Sequence, residues 1–360
     1  MTQYKKIFVD GIMHLGDMIM SASVFPILKK AYPQAEITYL AGGNLAFVAE
    51  MLEGVDRVIP YAYKSKGGHL AVYKLGKQLE KEHFDIGISL DPRERVTLMK
   101  WFANMPYTVS MEECLGWKLG WERWFYDLDL SFQQPWDFKE HLMSVSYQTL
   151  MRQFVGDKET AFYPPQLKAS ALEDLSYAQY LLKSNTTAKG LKIAFCFETT
   201  DKDKDWPTEK FSEVCNYLVK KYDAMLIMTG VEKQRTTVQK VVNGLQAKDH
   251  VLDVVGKTNF KQLVALCHSL DLVLTVDTGT AHIAAAAGCP VVTIFTHNSP
   301  KIYQAAGKYS AAVSGKLPCS GKGVCLDHVK CPKRDCVDAV TVAMVEQTID
   351  ALLEKIAKDK

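Results

Sequence analysis

The residues best suited to chemistry in this 360-residue chain lie in one short run, Asp277-Thr278-Gly279-Thr280-Ala281-His282. The run follows an apolar stretch, Leu272 to Val276, and opens into a string of alanines that ends at Gly288. That pattern reads as a buried strand, a polar turn and a helix whose small side chains let it lie close to a sheet. In an open parallel sheet, ligands bind at the C-terminal ends of the strands. A helix N-terminus adds unpaired N–H groups and a partial positive charge, which suit a phosphate. Gly279 lets a ligand approach the backbone, and Thr278, Thr280 and His282 add hydrogen-bond donors. The turn is therefore read as a diphosphate site. The plainer alternative is that Asp277 or Thr278 only caps the helix and that His282 is a packed histidine.

Three further clusters bear on this choice. Gly16-Asp17 follows the first strand pattern, which puts a carboxylate at the mouth of a strand–helix turn. There Asp17 is either a general base for a hydroxyl or the cap of a helix starting at Met18. In Glu198-Thr199-Thr200-Asp201-Lys202-Asp203-Lys204-Asp205-Trp206-Pro207, charges and hydroxyls crowd the end of another strand. Thr199 and Thr200 can donate to phosphate oxygens, and Lys204 can neutralise a diphosphate leaving group. Trp206-Pro207 anchors the loop, whereas Lys202 and Asp203 read as solvated. In Thr229-Gly230-Val231-Glu232, the carboxylate of Glu232 is placed either to accept from a ribose or to favour a helix dipole.

These clusters need strands and helices to hold them. Apolar strand patterns cover residues 6–10, 36–41, 57–61, 85–90 and 107–110, then 192–197, 224–229, 250–255, 272–276 and 291–295. Helical patterns lie between them, among others at 18–31, 70–82, 208–221, 233–244 and 260–269, with a last amphipathic helix near 340–356. Strands spaced by helices imply parallel βαβ units. A change of character between residues 156 and 190 marks a boundary. The expected layout is an N-terminal Rossmann-like domain over 1–170 and a C-terminal Rossmann-like domain over 171–345. A helix over 346–360 is left free to pack back on the first domain. Two such doubly wound α/β domains facing across a cleft form the GT-B architecture, which epimerases and binding proteins share with glycosyltransferases.

Composition excludes little and fits this layout. A net charge of +2 gives no argument for nucleic acid as a partner, and 48% hydrophobic with 23% charged residues is ordinary for a globular chain. No apolar run is long enough to span a bilayer, and the N-terminus lacks the apolar core of a signal peptide. A cytoplasmic enzyme is expected, with contact at a membrane surface left open. Of the nine cysteines, Cys114, Cys196, Cys215, Cys267 and Cys289 are scattered and read as small core residues. Cys319, Cys325, Cys331 and Cys336 share one Gly/Lys/Pro-rich segment over 319–336 with the spacing C-x5-C-x5-C-x4-C, beside His328. That spacing lacks the C-x2-C knuckle common in zinc ribbons. A structural zinc or iron ion, disulfides and free thiols all remain open for it.

Gly16-Asp17, Thr199-Thr200 with Lys204-x-Trp206-Pro207, and Asp277-Thr278-Gly279-x-x-His282 occur in the same order in bacterial glycosyltransferase family 9. The chain resembles that family from about residue 5 to residue 295. The family includes the ADP-heptose:lipopolysaccharide heptosyltransferases. The resemblance implies the GT-B fold, with the acceptor bound by the first domain and the donor by the second, and inverting transfer of heptose from ADP-heptose to a lipopolysaccharide inner-core acceptor. It implies Asp17 as general base, with Thr199, Thr200 and Lys204 on the diphosphate and Lys204 steadying the leaving group. It implies Asp277 on the heptose, Thr278, Gly279 and His282 along the sugar diphosphate, and Glu232 on the ribose. Lys64, Lys66, Arg93 and Arg95 are then acceptor-side candidates, by charge-assisted bonds to core carboxylates or phosphates, or else ordinary surface charges. No cofactor is required for catalysis on this reading, since a lysine and helix N-termini carry the diphosphate charge. Family members often have cysteines in the late segment, and some relatives bind iron there. The chain departs from the family at Thr296-His297-Asn298-Ser299-Pro300, where a glycine and a small polar residue are usual. Another nucleotide sugar or a protein acceptor is the alternative enzymatic reading, and a non-catalytic nucleotide-sugar-binding protein is the third.

Overall fold

The computed structural model describes residues 3–11, 14–61, 68–90, 94–111, 124–130, 136–168, 174–183, 187–199, 202–317 and 334–360. The chain forms two compact units, Met1–Lys168 and Ala169–Lys360. The first holds β1 (Lys6–Asp10), β2 (Glu36–Gly42), β3 (Arg57–Tyr61), β4 (Ile86–Ser89), β5 (Thr108–Ser110) and β6 (Leu128–Asp129). They form one parallel sheet in the order β3-β2-β1-β4-β5-β6. The second holds β7 (Lys192–Cys196), β8 (Met225–Met228), β9 (Val251–Asp253), β10 (Leu272–Val276), β11 (Val291–Phe295) and β12 (Ser310–Ser314). Its parallel order, β12-β11-β10-β7-β8-β9, repeats the same winding. In each unit the chain starts mid-sheet, walks to one edge, returns, and walks to the other. The order reverses between β1 and β4 and between β7 and β10, the switch points where doubly wound sheets bind ligands.

Helices cover both faces of these sheets, so the central strands are largely apolar. Ile7, Phe8 and Val9 of β1 and Leu272, Leu274 and Val276 of β10 are fully buried. The core of the second unit joins Phe195, Leu226, Leu274 and Ile294 to Phe211 and Leu218 of the Thr208–Tyr222 helix, and to Val345 and Ile349 of the Val342–Lys358 helix. That last helix, starting with a Thr341 side-chain cap, packs within its own unit against the Thr208–Tyr222 helix and β12.

Three local features differ from the expected pattern. The continuous helix over 18–31 is two helices, Leu15–Ser21 and Phe25–Ala31, joined by a 3₁₀ turn at Ala22–Val24. Pro26 sits in the first turn of the second helix, where its missing N–H costs nothing. β6 has two residues and β12 reads Ser-Ala-Ala-Val-Ser, so neither carries a strong strand signal. The Met143–Val155 helix, closed by Gly156 at φ 70°, packs on the Leu15–Ser21 helix of the first unit.

A buried ion pair braces the first sheet at its switch point. Lys100 Nζ lies 2.9 Å from Asp10 Oδ2, with both side chains essentially inaccessible to water. Ser89 Oγ donates to Asp10 Oδ1 at 2.8 Å, and Lys100 also donates to the Tyr126 hydroxyl at 3.2 Å. Burial alone would strip the charge from Lys100; the facing Asp10 carboxylate and its hydrogen bond outweigh this and hold the ammonium charged.

Candidate active site

Register brings the polar turns of the second unit together. Cys196 of β7 faces Thr275 of β10, so the segments that leave these strands, from Glu198 and from Asp277, run side by side. Val276 faces Ile294 of β11, which sets the segment from Thr296 on the other side of Asp277. All three segments emerge at the C-terminal edge beside the β7/β10 switch point.

The loop after β7 is tied from within. Thr199 N–H donates to Asp205 Oδ1 at 2.8 Å, closing the loop over a 3₁₀ turn at Lys202–Lys204. Trp206 anchors its far end. The indole is 2% exposed, donates from Nε1 to the Val340 carbonyl at 3.1 Å, and packs edge-on against Phe211 at 5.0 Å. The loop therefore presents its lysines in a set geometry. Lys204 Nζ lies 2.9 Å from Asp277 Oδ2. Asn298 Nδ2 donates to the same oxygen at 2.7 Å. Lys202 is largely exposed, as expected of a solvated loop residue. It bridges Glu198 and Asp205 and lines the cavity described below.

Thr278 is the extended residue before the Gly279–Ala286 helix, and its side chain makes no capping hydrogen bond. The capping alternative thus fails for the Thr278 hydroxyl. His282 faces inward from this helix and is 5% exposed. Burial pushes its imidazole down to about 4; the Lys204 ammonium adds to this and the Asp277 carboxylate opposes it. The ring is neutral at physiological pH.

A cavity of about 730 Å³ opens over the ends of β7, β8 and β10. Thr199, Thr278 and Thr280 line one part of it, and Gln234, Phe260 and Leu263 another. Asn259 shapes this second wall. Its Oδ1 accepts from Gln262 N–H at 2.9 Å while Gln262 Oε1 accepts from Asn259 N–H, a reciprocal cap on the Phe260–His268 helix. Lys204, Asp277 and His282 lie beside the cavity through Thr199 and Thr278 and are not among its lining side chains. The turn after β8 is built around Gly230, whose φ of 148° suits glycine and whose missing side chain leaves room for Gln234 Oε1. Gln234 accepts from Val231 N–H at 3.0 Å. Glu232 instead turns to Arg235, which grips both its oxygens and reaches Asp253 at 2.9 Å. Glu232 is not part of the cavity wall.

In the first unit, Asp17 sits in the first turn of the Leu15–Ser21 helix and is partly buried. His14, not Asp17, precedes this helix, so the cap alternative for Asp17 fails as well. Arg95 lies at the start of the Glu94–Phe102 helix, near the end of β4. Lys64, Lys66, Arg93 and Thr200 lie outside the described residues, as do Cys114, Cys319, Cys325, Cys331 and His328. Cys336 is in the short Asp335–Asp338 helix. Cys196, Cys215, Cys267 and Cys289 are buried in the core, as their apolar surroundings suggest. Among the described residues no group of His, Cys, Asp and Glu is placed to hold a metal. Among them also, no helix is long and apolar enough to cross a membrane.

The family model for glycosyltransferase family 9 (heptosyltransferase) matches residues 72–331. The chain belongs to that family. It is similar to the lipopolysaccharide core heptosyltransferase OpsX of Haemophilus influenzae, with 24% identity over 82% of this chain and 80% of that one. A family 9 glycosyl transferase from Veillonella parvula matches in structure with a TM-score of 0.83 and 22% identity, over 99% of both chains. The ADP-heptose lipopolysaccharide heptosyltransferase II of E. coli matches with a TM-score of 0.73 and 21% identity, over 98% of this chain and 99% of that one. The protein is thus a family 9 glycosyltransferase with the α/β GT-B fold.

Two features of this family 9 site escaped the sequence reading. Lys202 stays largely exposed as expected, but its ion pairs with Glu198 and Asp205 at the edge of the cavity depend on how the loop folds. Asn298 was noted only as part of a departure from the family pattern, and its bond to Asp277 depends on the β10–β11 register.

Proposed function

We propose that this glycosyltransferase takes ADP-heptose as donor and transfers the heptose to a lipopolysaccharide inner-core or related anionic acceptor. The observation that carries the reading is the threonine-lined cavity at the β7/β10 switch point, with the Lys204–Asp277 pair beside it. An adenosine suits the Gln234, Phe260 and Leu263 part of the cavity. The diphosphate would then lie at Thr199, Thr278 and the N-terminus of the Gly279–Ala286 helix, whose N–H groups and dipole favour anions. Thr200 and Gly279 would complete that contact. Lys204 balances the charge that grows on the departing ADP, and His282, held neutral, adds none of its own. Asp277 would accept from heptose hydroxyls. Glu232, held by Arg235, would need to release one oxygen to meet the ribose.

The chemistry is a single displacement. An acceptor hydroxyl oxygen attacks the anomeric carbon, the bond from that carbon to the diphosphate oxygen breaks, and ADP leaves with the electron pair. The hydroxyl proton passes to Asp17. One displacement inverts the anomeric centre. Lys64, Lys66, Arg93 and Arg95 would hold the acceptor's acidic groups, and a peripheral position at the inner-membrane surface would bring the enzyme to a lipid-anchored acceptor. No metal takes part in these steps. Zinc or iron at Cys319, Cys325, Cys331 and Cys336 would be structural.

The test compares ADP-heptose with UDP- and GDP-sugars by product analysis, using the wild type and Asp17→Asn. Transfer from ADP-heptose alone, abolished in Asp17→Asn while ADP binding persists, is the expected result. Near-normal turnover by Asp17→Asn would overturn the assigned base, and transfer only from another nucleotide sugar would overturn the donor.

A further inference from the structure

Asp277 carries an unusual load on one atom. Its side chain is 10% exposed, and Oδ2 accepts both from Lys204 Nζ at 2.9 Å and from Asn298 Nδ2 at 2.7 Å. The two donors come from different segments, the loop after β7 and the loop after β11. A carboxylate can only accept, so the amide must offer its nitrogen here. The two donors differ in what a ligand can do to them. Lys204 is 22% exposed and charged, and an incoming diphosphate competes for it directly. The amide of Asn298 is neutral and gives an anion much less to attract it.

A lysine that leaves a carboxylate this buried would expose an uncompensated charge, at a cost far above the worth of the bond itself. A second donor on the same oxygen changes this. While Asn298 stays in place, Asp277 keeps a hydrogen bond after Lys204 has moved. We propose that Asn298 is a positioning residue for donor binding: it keeps Asp277 satisfied so that Lys204 can be handed from Asp277 to the donor's diphosphate. This rests on the reading of Lys204 as a diphosphate ligand. It also gives the departure at Thr296–Ser299 a physical content, since the asparagine arrives through that segment.

The experiment measures binding of ADP and of adenosine to the full-length protein by calorimetry or competition. Adenosine has no phosphate for Lys204 to meet. Asn298→Leu leaves Lys204 as the donor to Oδ2 and should weaken ADP about tenfold, the equivalent of one hydrogen bond to a charged group. Adenosine affinity should stay within about twofold by the same argument. Asn298→Asp supplies a readout that loss of structure would not mimic. In acid its protonated carboxyl donates to Asp277 as the amide does. At higher pH it ionises and becomes a second carboxylate competing for Lys204. The ratio of its ADP affinity to that of the wild type should therefore fall as pH rises. His282, the neighbouring imidazole, is common to both proteins and drops out of the ratio. Lys204→Met separates the premises. If Lys204→Met binds ADP as the wild type does, the diphosphate reading of Lys204 fails and takes the proposal with it. If Lys204→Met weakens ADP while Asn298→Leu does not, or if Asn298→Leu weakens adenosine equally, the role of Asn298 is overturned and the role of Lys204 stands.

Discussion

His282 makes the stability of the second unit depend on pH in a way that can be worked through. Burial first, then the Lys204 ammonium, push its imidazole from an ordinary 6.5 to about 4, against the pull of Asp277. Between these values the unfolded chain holds a proton that the folded protein does not. Stability therefore falls as pH falls through this window. Above pH ~6.5 the contribution is whole, and below about 4 it is gone. At one pKa unit per ~1.4 kcal/mol, the full range is worth roughly 3 kcal/mol. Between pH ~7.5 and ~4.5 it amounts to about 2.5 kcal/mol. His282→Asn removes the titration while keeping a polar side chain of similar reach. Other groups titrate in the same window, so the informative quantity is the difference between wild type and variant. Urea unfolding across this range, followed by hydrogen exchange of β10 and β11 amides to isolate the second unit, gives that difference. The stability gap between the two proteins should shrink by about 2.5 kcal/mol on going from the higher to the lower pH. Parallel profiles would refute the argument, because they would mean that the imidazole titrates alike in both states. Lys204→Met should raise the pKa of the ring in a direct NMR titration, since it deletes one of the forces holding the ring neutral.

Two further expectations concern the braces around the switch points. Lys100→Met should destabilise the first unit by about 3–5 kcal/mol, because Asp10 would stay buried without its partner. Asp10→Asn combined with Lys100→Met should cost less than the sum of the singles, and chemical denaturation of the four proteins checks this. Asn259→Ala removes the reciprocal cap of the Phe260–His268 helix and should cost about 1 kcal/mol. Because Asn259 and Phe260 line the cavity, its ADP affinity should drop in the same titration.

The sheets were legible because central strands of a parallel sheet are covered on both faces. Residues 7–9, 272–276 and 291–295 announce themselves as strongly apolar runs, the last two interrupted only by Thr275 and Thr293. β12 shows the limit of that signal: four of its five residues are serine or alanine, and its place follows from pairing with β11 rather than from its own composition. The helix around Pro26 shows another limit, since a proline can stop a helix or begin the next one. The site is a harder problem of a different kind. Asp277 and Lys204 were identified separately, each as a plausible ligand contact, yet their pairing spans 73 positions of chain. It exists because Cys196 pairs with Thr275 and because Trp206 fixes the far end of the Lys204 loop. Shift that register by one residue and every side chain on the strand changes face. Asn298 reaches the same carboxylate from 21 positions away, through the register of Val276 with Ile294. Residue types therefore named the chemical class of the site. Which lysine faces the cavity, and which amide shares its carboxylate, is decided only by how the strand ends are set against one another. The same logic explains Glu232. The sequence places it at a strand end suited to a ribose, but Arg235 stands one helical turn away and Asp253 across from it, and the folded chain spends the carboxylate on that guanidinium first.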